Sequence, residues 1–186
     1  MEAILPVFIA ILLAEMGGRT QGRGHDLQLR YNAAGAILGA LSLTTLASLL
    51  VAGVGGAMIA RMISFDARSL LAGLALLLAG APMVLRARPT REVNAMSAFG
   101  AGLKGFAPLQ FGDASQFIVF AMAARTGQIG FAVATGVVAT MIAVSVPVIM
   151  GRDWPGDFPL VLSRRISALL LITAGFWMII TALRLI

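Results

Sequence analysis

One seven-residue pattern occurs twice in this chain, each time inside a long apolar stretch. It reads Glu15-Met16-Gly17-Gly18-Arg19-Thr20-Gln21 and, 95 residues further on, Gln110-Phe111-Gly112-Asp113-Ala114-Ser115-Gln116. The same offset pairs Arg30 with Arg125, Gly35 with Gly130, Thr45 with Thr140, Gly56 with Gly151, Leu74 with Leu169, Ala79-Gly80 with Ala174-Gly175 and Met83 with Met178. A register that holds across so many residue types predicts one structural unit built twice.

The apolar surroundings fix the class of fold. Of 186 residues, 59% are hydrophobic and only 12% charged, with a mean hydropathy of +0.94, beyond what a soluble domain shows. Apolar stretches at 3–17, 33–60, 69–85, 96–124, 129–150 and 166–186 are read against a hydrocarbon core of about 30 Å. They predict an all-α integral membrane protein, a single domain over 1–186 with six transmembrane helices. The first repeat covers 1–88 and the second 96–186. Three spans per repeat is an odd number, so the two repeats are expected to be inverted. Only Glu2 precedes the first apolar run and no small-residue cleavage pattern follows it, so that run is read as a span and not as a removed signal.

Charge sets the expected orientation. The 1–2, 3–4 and 5–6 connections carry Arg23, Arg30, Arg86, Arg88, Arg91, Arg152, Arg164 and Arg165, against Arg61, Arg68, Arg125 and Arg184 opposite. Arginine excess marks the cytoplasmic face, which predicts a cytoplasmic central loop with both termini outside. That loop is Arg86 to Asn94, polar and interrupted by Pro89; Gly151 to Pro159 reads as a second loop. The formal charge of +6 belongs to residues flanking apolar runs and not to a basic stripe with interleaved aromatics, so the bilayer is the expected partner and nucleic acid is not. The glycine and methionine content is read as close helix packing.

Chemistry is scarce elsewhere. With no cysteine there is no disulfide, thiolate ligand or thiol nucleophile. No Ser/His/Asp set, paired-histidine metal motif or phosphate-binding glycine loop is present, so no enzyme and no cofactor is expected. The duplicated pattern is another matter, since polar groups at membrane depth are costly and mark functional sites. Gly17, Gly18 and Gly112 are helix-break residues that let half-helix ends face a pocket. Around them Glu15, Asp113, Gln110, Gln21 and Gln116 offer carboxyl and carboxamide oxygens, and Thr20 and Ser115 offer hydroxyls. After the first copy, residues 22–30 are strongly polar where 117–124 are apolar, which predicts a half-helix along a wet path. His25 within it is read as a solvated loop histidine in preference to a proton relay.

At these residues the chain resembles the cation/proton exchanger family of transmembrane protein 165 and its fungal and bacterial relatives, in the lysine-exporter superfamily. Members carry two copies of Glu-hydrophobic-Gly-Asp-Lys/Arg-Ser/Thr, usually followed by Gln, in the first and fourth helices of a three-plus-three inverted repeat. The first copy here keeps Glu15, Gly17, Arg19, Thr20 and Gln21 but has Gly18 in place of Asp. The second keeps Gly112, Asp113, Ser115 and Gln116 but has Gln110 for Glu and Ala114 for the base. The resemblance implies efflux of manganese or calcium against protons from a site of reduced charge, in a bacterial inner (plasma) membrane. Glu15 and Asp113 then carry ion or proton, Gln110, Gln21 and Gln116 are neutral ligands, Thr20 and Ser115 support them, and Arg19 is a countercharge. Restoring acids by Gly18→Asp and Gln110→Glu is expected to strengthen divalent-ion binding. The alternative reading is a transport-inactive paralogue acting as a membrane assembly or regulatory protein. A homo-oligomer is left open.

Overall fold

Ala, Leu, Ile and Met dominate the apolar runs, and in hydrocarbon a helix is the open-chain structure that satisfies its own backbone. The computed structural model describes residues 4–84, 95–154 and 160–183. Among them the chain forms α1 (Ile4–Glu15), α2 (Arg19–Tyr31), α3 (Ala34–Ala60), α4 (Phe65–Val84), α5 (Ala98–Gln110), α6 (Ala114–Thr126), α7 (Ile129–Met150) and α8 (Leu160–Ala182), with a 3-10 turn at Gly151–Asp153. The expected Arg86–Asn94 connection and Pro155–Pro159 of the second loop lie outside the described residues.

Among the described residues, four helices are long and apolar enough to cross a membrane: Ala34–Ala60, Phe65–Val84, Ile129–Asp153 and Arg164–Ala182. The stretches 3–17 and 96–124 are not the continuous spans expected from their hydropathy. Each contributes a short helix that ends inside the motif, α1 at Glu15 and α5 at Gln110, followed by a second short helix. The cause is in the backbone. Gly17 has φ 67° and Gly112 φ 78°, in the left-handed region that costs a side-chain-bearing residue about 1–2 kcal/mol. Gly18 and Asp113 follow in extended conformation, so the chain turns out of one helix and into the next.

The 95-residue register is visible in the helix boundaries. α2 and α6 are both 13 residues long, start at Arg19 and Ala114, and close on left-handed caps at Asn32 and Gly127. α4 and α8 start at Phe65 and Leu160. Packing follows the same exchange of partners: α1 lies on α7 as α5 lies on α3, and α2 on α7 as α6 on α3. α4 packs along α8. At one end of the bundle the Tyr31 hydroxyl donates to the Ala95 carbonyl at 3.0 Å, joining the end of α2 to the approach of α5. His25 Nε2 meets the Gly151 carbonyl at 2.8 Å, joining α2 to the end of α7.

Among the described residues three apolar clusters result, a small one around Ala72, Ala75 and Ala121 and two larger ones. Leu27, Ile37, Leu41, Phe106, Val144 and Val148 form one at the end where α2 finishes and α5 begins. Ile11, Leu49, Val119, Ile118 and Leu171 belong to the other. Large apolar side chains also remain exposed on the outer surfaces of α3, α4, α7 and α8, among them Val51, Leu74, Leu78, Phe131, Ile149 and Leu169, which is stable only where the surrounding solvent is hydrocarbon. The polar α2 departs from the expected wet helix: Thr20, Gln21, Arg23, Gly24 and Leu27 are buried against α5 and α7, and only the opposite face, with Gly22, Asp26 and Arg30, is open. His25 is helical and half-buried, not a solvated loop residue.

Helix contacts through glycine are close enough to forbid a methyl group. A Cβ on Gly56 of α3 would fall 2.1 Å from the Phe120 carbonyl oxygen of α6. Gly56→Ala is therefore expected to separate α3 from α6, seen as loss of folded protein in detergent by size-exclusion chromatography. Gly112→Ala meets no neighbour within 4 Å and is expected to cost only the left-handed strain, about 1–2 kcal/mol. Gly130→Ala, equally unhindered, should lower the melting temperature by nothing.

Candidate functional site

A broken helix exposes donors and acceptors that hydrocarbon will not satisfy. Here the motif glutamines answer that demand. Gln21 Oε1 accepts from the Gly17 N–H at 2.9 Å, and Gln116 Oε1 accepts from the Gly112 N–H at 2.6 Å. Their amide groups reach outward in parallel, Gln21 Nε2 to the Ala143 carbonyl at 2.9 Å and Gln116 Nε2 to the Ser48 carbonyl at 3.4 Å. The shorter bond has a cause. Pro147 lies inside α7 and lacks the N–H that would otherwise bind Ala143 O four residues earlier, so that carbonyl is free for Gln21. Both glutamines, expected as ion ligands, thus have their oxygens engaged in bracing the breaks.

Glu15 ends α1 and is 1% exposed. The Ser115 hydroxyl, in the first turn of α6, donates to Glu15 Oε1 at 2.5 Å, and Thr140 Oγ1 from α7 donates to the same oxygen at 3.4 Å. Gln110 ends α5 and is equally buried. Its Nε2 donates to Thr45 Oγ1 of α3 at 2.9 Å, and Ser48 Oγ donates to its carbonyl at 3.1 Å. Thr45 and Thr140 are repeat partners, so each motif's leading side chain is held by the same threonine. Gln110 Oε1 is buried and has no hydrogen-bond partner among the described residues.

The two motifs therefore meet. Ser115 reaches Glu15 across the halves, Thr20 lies within hydrogen-bonding reach of both carboxyl groups, and Asp113 is close enough to Glu15 for their charges to repel. Asp113 is half-buried at the start of α6, where the helix N-terminus favours an anion. Arg19 starts α2, is exposed, and faces both Asp113 and Arg164 of α8. Arg164 in turn donates through Nη2 to the Pro82 carbonyl near the end of α4 at 3.0 Å. Among the described residues no three His, Cys, Asp or Glu side chains gather; the oxygens available come from two carboxyls, one carboxamide and several hydroxyls.

Gly18 stands where the second motif has Asp113, and the first break has closed around its absence of a side chain. Its N–H donates to the Glu15 carbonyl at 2.9 Å, and a Cβ there would fall 2.9 Å from that same oxygen. Gly18→Asp therefore requires the Glu15 carbonyl to shift, although Gly18 (φ −73°, ψ 167°) and Asp113 (φ −80°, ψ 161°) share one backbone conformation. Thr45, Thr140 and Ser48 were not among the site residues expected from sequence. Their one signal was the Thr45–Thr140 pairing in the 95-residue register, together with the helix-internal Pro147 that frees a carbonyl.

A buried polar cluster built from two helix breaks at the centre of an apolar bundle defines an integral membrane protein of the transporter type. Residues 98–185, which span α5 to α8, match the family model described as Divalent cation/proton antiporter GDT1, and this match supports the assignment of the chain to that family. It is a family of transporters and not of enzymes. No curated protein matches the chain, and no solved structure does.

Two variants separate the breaks. Gly18→Asp is expected to lower the melting temperature in detergent, because its Cβ displaces backbone, whereas Gln110→Glu is expected to keep the wild-type fold. Ser115→Ala leaves a buried Glu15 oxygen short of its closest donor and should cost about 1–3 kcal/mol, with Ser115→Thr recovering most of the loss in the same melt.

Proposed function

We propose that the chain is a secondary transporter that exchanges a divalent cation of the manganese or calcium type for protons, and that the paired breaks are its site. The observation that carries this reading is the Ser115–Glu15 hydrogen bond, which joins the two motifs in a buried cluster. Glu15 and Asp113 supply the charge, and the unpartnered Gln110 Oε1 supplies a neutral hard oxygen turned into a dry surround. Thr20, Ser115, Thr45 and Thr140 fix the orientation of these groups. Arg19 moderates the negative charge of Asp113. Efflux is the direction the family resemblance implies.

Two inverted repeats are the architecture proposed for this exchange. Support comes from helix lengths and ends. α1 and α2 together have 12 and 13 residues, about 38 Å end to end, enough for one crossing where neither piece suffices. The α2 end meets the α5 start and the α7 end, which supports opposite running directions for the α1–α2 and α5–α6 pairs. The same contacts gather Arg30 and Arg152 toward one face, which we propose is cytoplasmic. A transport-inactive role in membrane assembly is favoured by one feature, the absence of a third acidic ligand among the described residues; flux decides between the readings.

Purified protein in liposomes, with manganese, calcium and pH indicators, is expected to show cation flux coupled to opposite proton flux. Glu15→Gln and Asp113→Asn should each reduce it to background, since each removes one of the two charged ligands; wild-type flux in both would end this assignment. Gln110→Glu is expected to tighten manganese binding by about tenfold or more, because an added anion at contact distance is worth on the order of a few kcal/mol at intermediate dielectric before desolvation. For orientation, a cysteine at Arg152 should label from the cytoplasm and one at Gln128 from outside; the reverse pattern would invert the proposed topology.

A further inference from the structure

The side chains with almost no exposed surface fall into two kinds. Glu15, Gln110, Thr20 and Thr45 belong to the break cluster. The rest of the largest are apolar: Phe106, Ile11, Ile37, Leu41, Leu49, Val119, Val144 and Val148. Six of these converge on two glycines. A Cβ on Gly24 of α2 would fall 2.8 Å from Val148 Cγ2, 2.9 Å from Val144 Cγ1 and 3.9 Å from Phe106 Cζ. A Cβ on Gly136 of α7 would fall 2.7 Å from Leu49 Cδ1, 2.7 Å from Val119 Cγ2 and 3.6 Å from Ile11 Cδ1.

Most members of these groups are counterparts in the 95-residue register: Phe106 answers to Ile11, Val144 to Leu49, and Gly24 to Val119, whereas Val148 answers to Gly53 and Gly136 to Leu41. Ile11, Phe106, Leu49, Val144 and Val119 each stand one helical turn from a residue of the break cluster, where side chains four apart share a helix face, and Val148 stands one turn further. Ile11 precedes Glu15 by four and Phe106 precedes Gln110 by four; Leu49 follows Thr45 by four and Val144 follows Thr140 by four. Along their helices the two groups lie in opposite directions. Phe106, Val144 and Val148 belong to the core at the end where α2 finishes, and Ile11, Leu49 and Val119 to the core on the other side.

Beyond the first group, the end of α2 turns Gln28 and Asn32 toward the end of α7. A cavity of about 350 Å³ is lined there by Gln28, Asn32, Met150, Gly151 and Arg152. Gln28 Oε1 is buried without a hydrogen-bond partner among the described residues, and the cavity, whose lining also includes Leu29 and Ile149, has room for water beside that oxygen. On this side, then, a cavity with room for water lies beyond the layer of Phe106, Val144 and Val148.

We propose that the two apolar groups are the gates of the protein. Phe106, Val144 and Val148 over Gly24 close the break cluster from the face carrying the Gln28–Arg152 cavity, and Ile11, Leu49 and Val119 over Gly136 close it from the opposite face. A layer of apolar side chains at a constriction excludes water and ions by dewetting, and opens when its walls part. Gly24 leaves α2 free to separate from α7 without dragging a side chain through the layer. Val119, its counterpart on α6, fills the second layer itself.

The chain has no cysteine, so a single Thr140→Cys reports access to the cluster without a change of background. Vesicles of known orientation are treated from either face with a membrane-impermeant methanethiosulfonate cation. Val144→Thr keeps the side-chain shape and adds a hydroxyl, and is expected to raise the labelling rate about tenfold from the cavity face alone. Val119→Thr should do the same from the opposite face alone. Val148→Thr substitutes for Val144→Thr where that variant does not reach the membrane, and size-exclusion profiles confirm folding. Enhancement from the same face in both variants, or from neither face, overturns the assignment. Labelling requires no cation flux, so face-specific enhancement in a protein that transports nothing would retain the gates while removing the exchanger reading.

Discussion

Everything at the centre of this molecule depends on breaking two helices where no water is available to take over their hydrogen bonds. A left-handed glycine followed by an extended residue ends α1 and α5 and restarts the chain as α2 and α6. The break survives because a glutamine four residues after the glycine returns its oxygen to the glycine N–H. The same side chain then spans to a carbonyl on α7 or α3, so the brace that repairs the backbone also ties each broken helix to a continuous one. Without it, the break would leave an unsatisfied N–H in a low-dielectric surround, a cost of a few kcal/mol that no apolar contact offsets.

Once the breaks exist, the two helix ends bring unlike groups to one place. Glu15 and Gln110 occupy equivalent positions and have equivalent threonine partners, but the direction of the hydrogen bond differs. Thr140 donates to the Glu15 carboxyl, whereas Thr45 accepts from the Gln110 amide. That reversal leaves the Gln110 oxygen without a partner among the described residues. The first break is also closed more tightly, since Gly18 folds its N–H back onto the Glu15 carbonyl where Asp113 presents a carboxyl group. The two halves share a scaffold and differ in charge, and the difference is built into the backbone at Gly18 as well as into side chains.

The polar second half-helix shows how far hydropathy alone misleads. Residues 22–30 have the composition of a solvated segment, but α2 lies against α5 and α7 with Gln21, Arg23 and Gly24 buried. Its neighbours make room: Gly105 on α5 receives the Arg23 side chain, whose Cδ lies 3.2 Å from where a Cβ would stand. Polarity within a membrane domain is tolerated where it is enclosed by protein or lines a cavity, and α2 does the first along its length and the second at its end.

By itself the sequence determined the all-helical membrane class, the 95-residue register, the position of both breaks, and the motif residues Glu15, Asp113, Gln110, Thr20 and Ser115 as a polar cluster. These were legible because they rest on local quantities: hydropathy over a span, glycine's access to positive φ, and the cost of polar groups in hydrocarbon. Tertiary structure alone decided that the breaks meet through Ser115 and Glu15, that Gln21 and Gln116 brace backbone, that Thr45, Thr140 and Ser48 join the cluster, and that a side chain at Gly18 would press on the Glu15 carbonyl. It also decided that 3–17 and 96–124 are not single helices. Those outcomes depend on which carbonyl Pro147 leaves free, on the direction of individual hydrogen bonds and on distances between helices remote in sequence, none of which a pattern of residue types encodes.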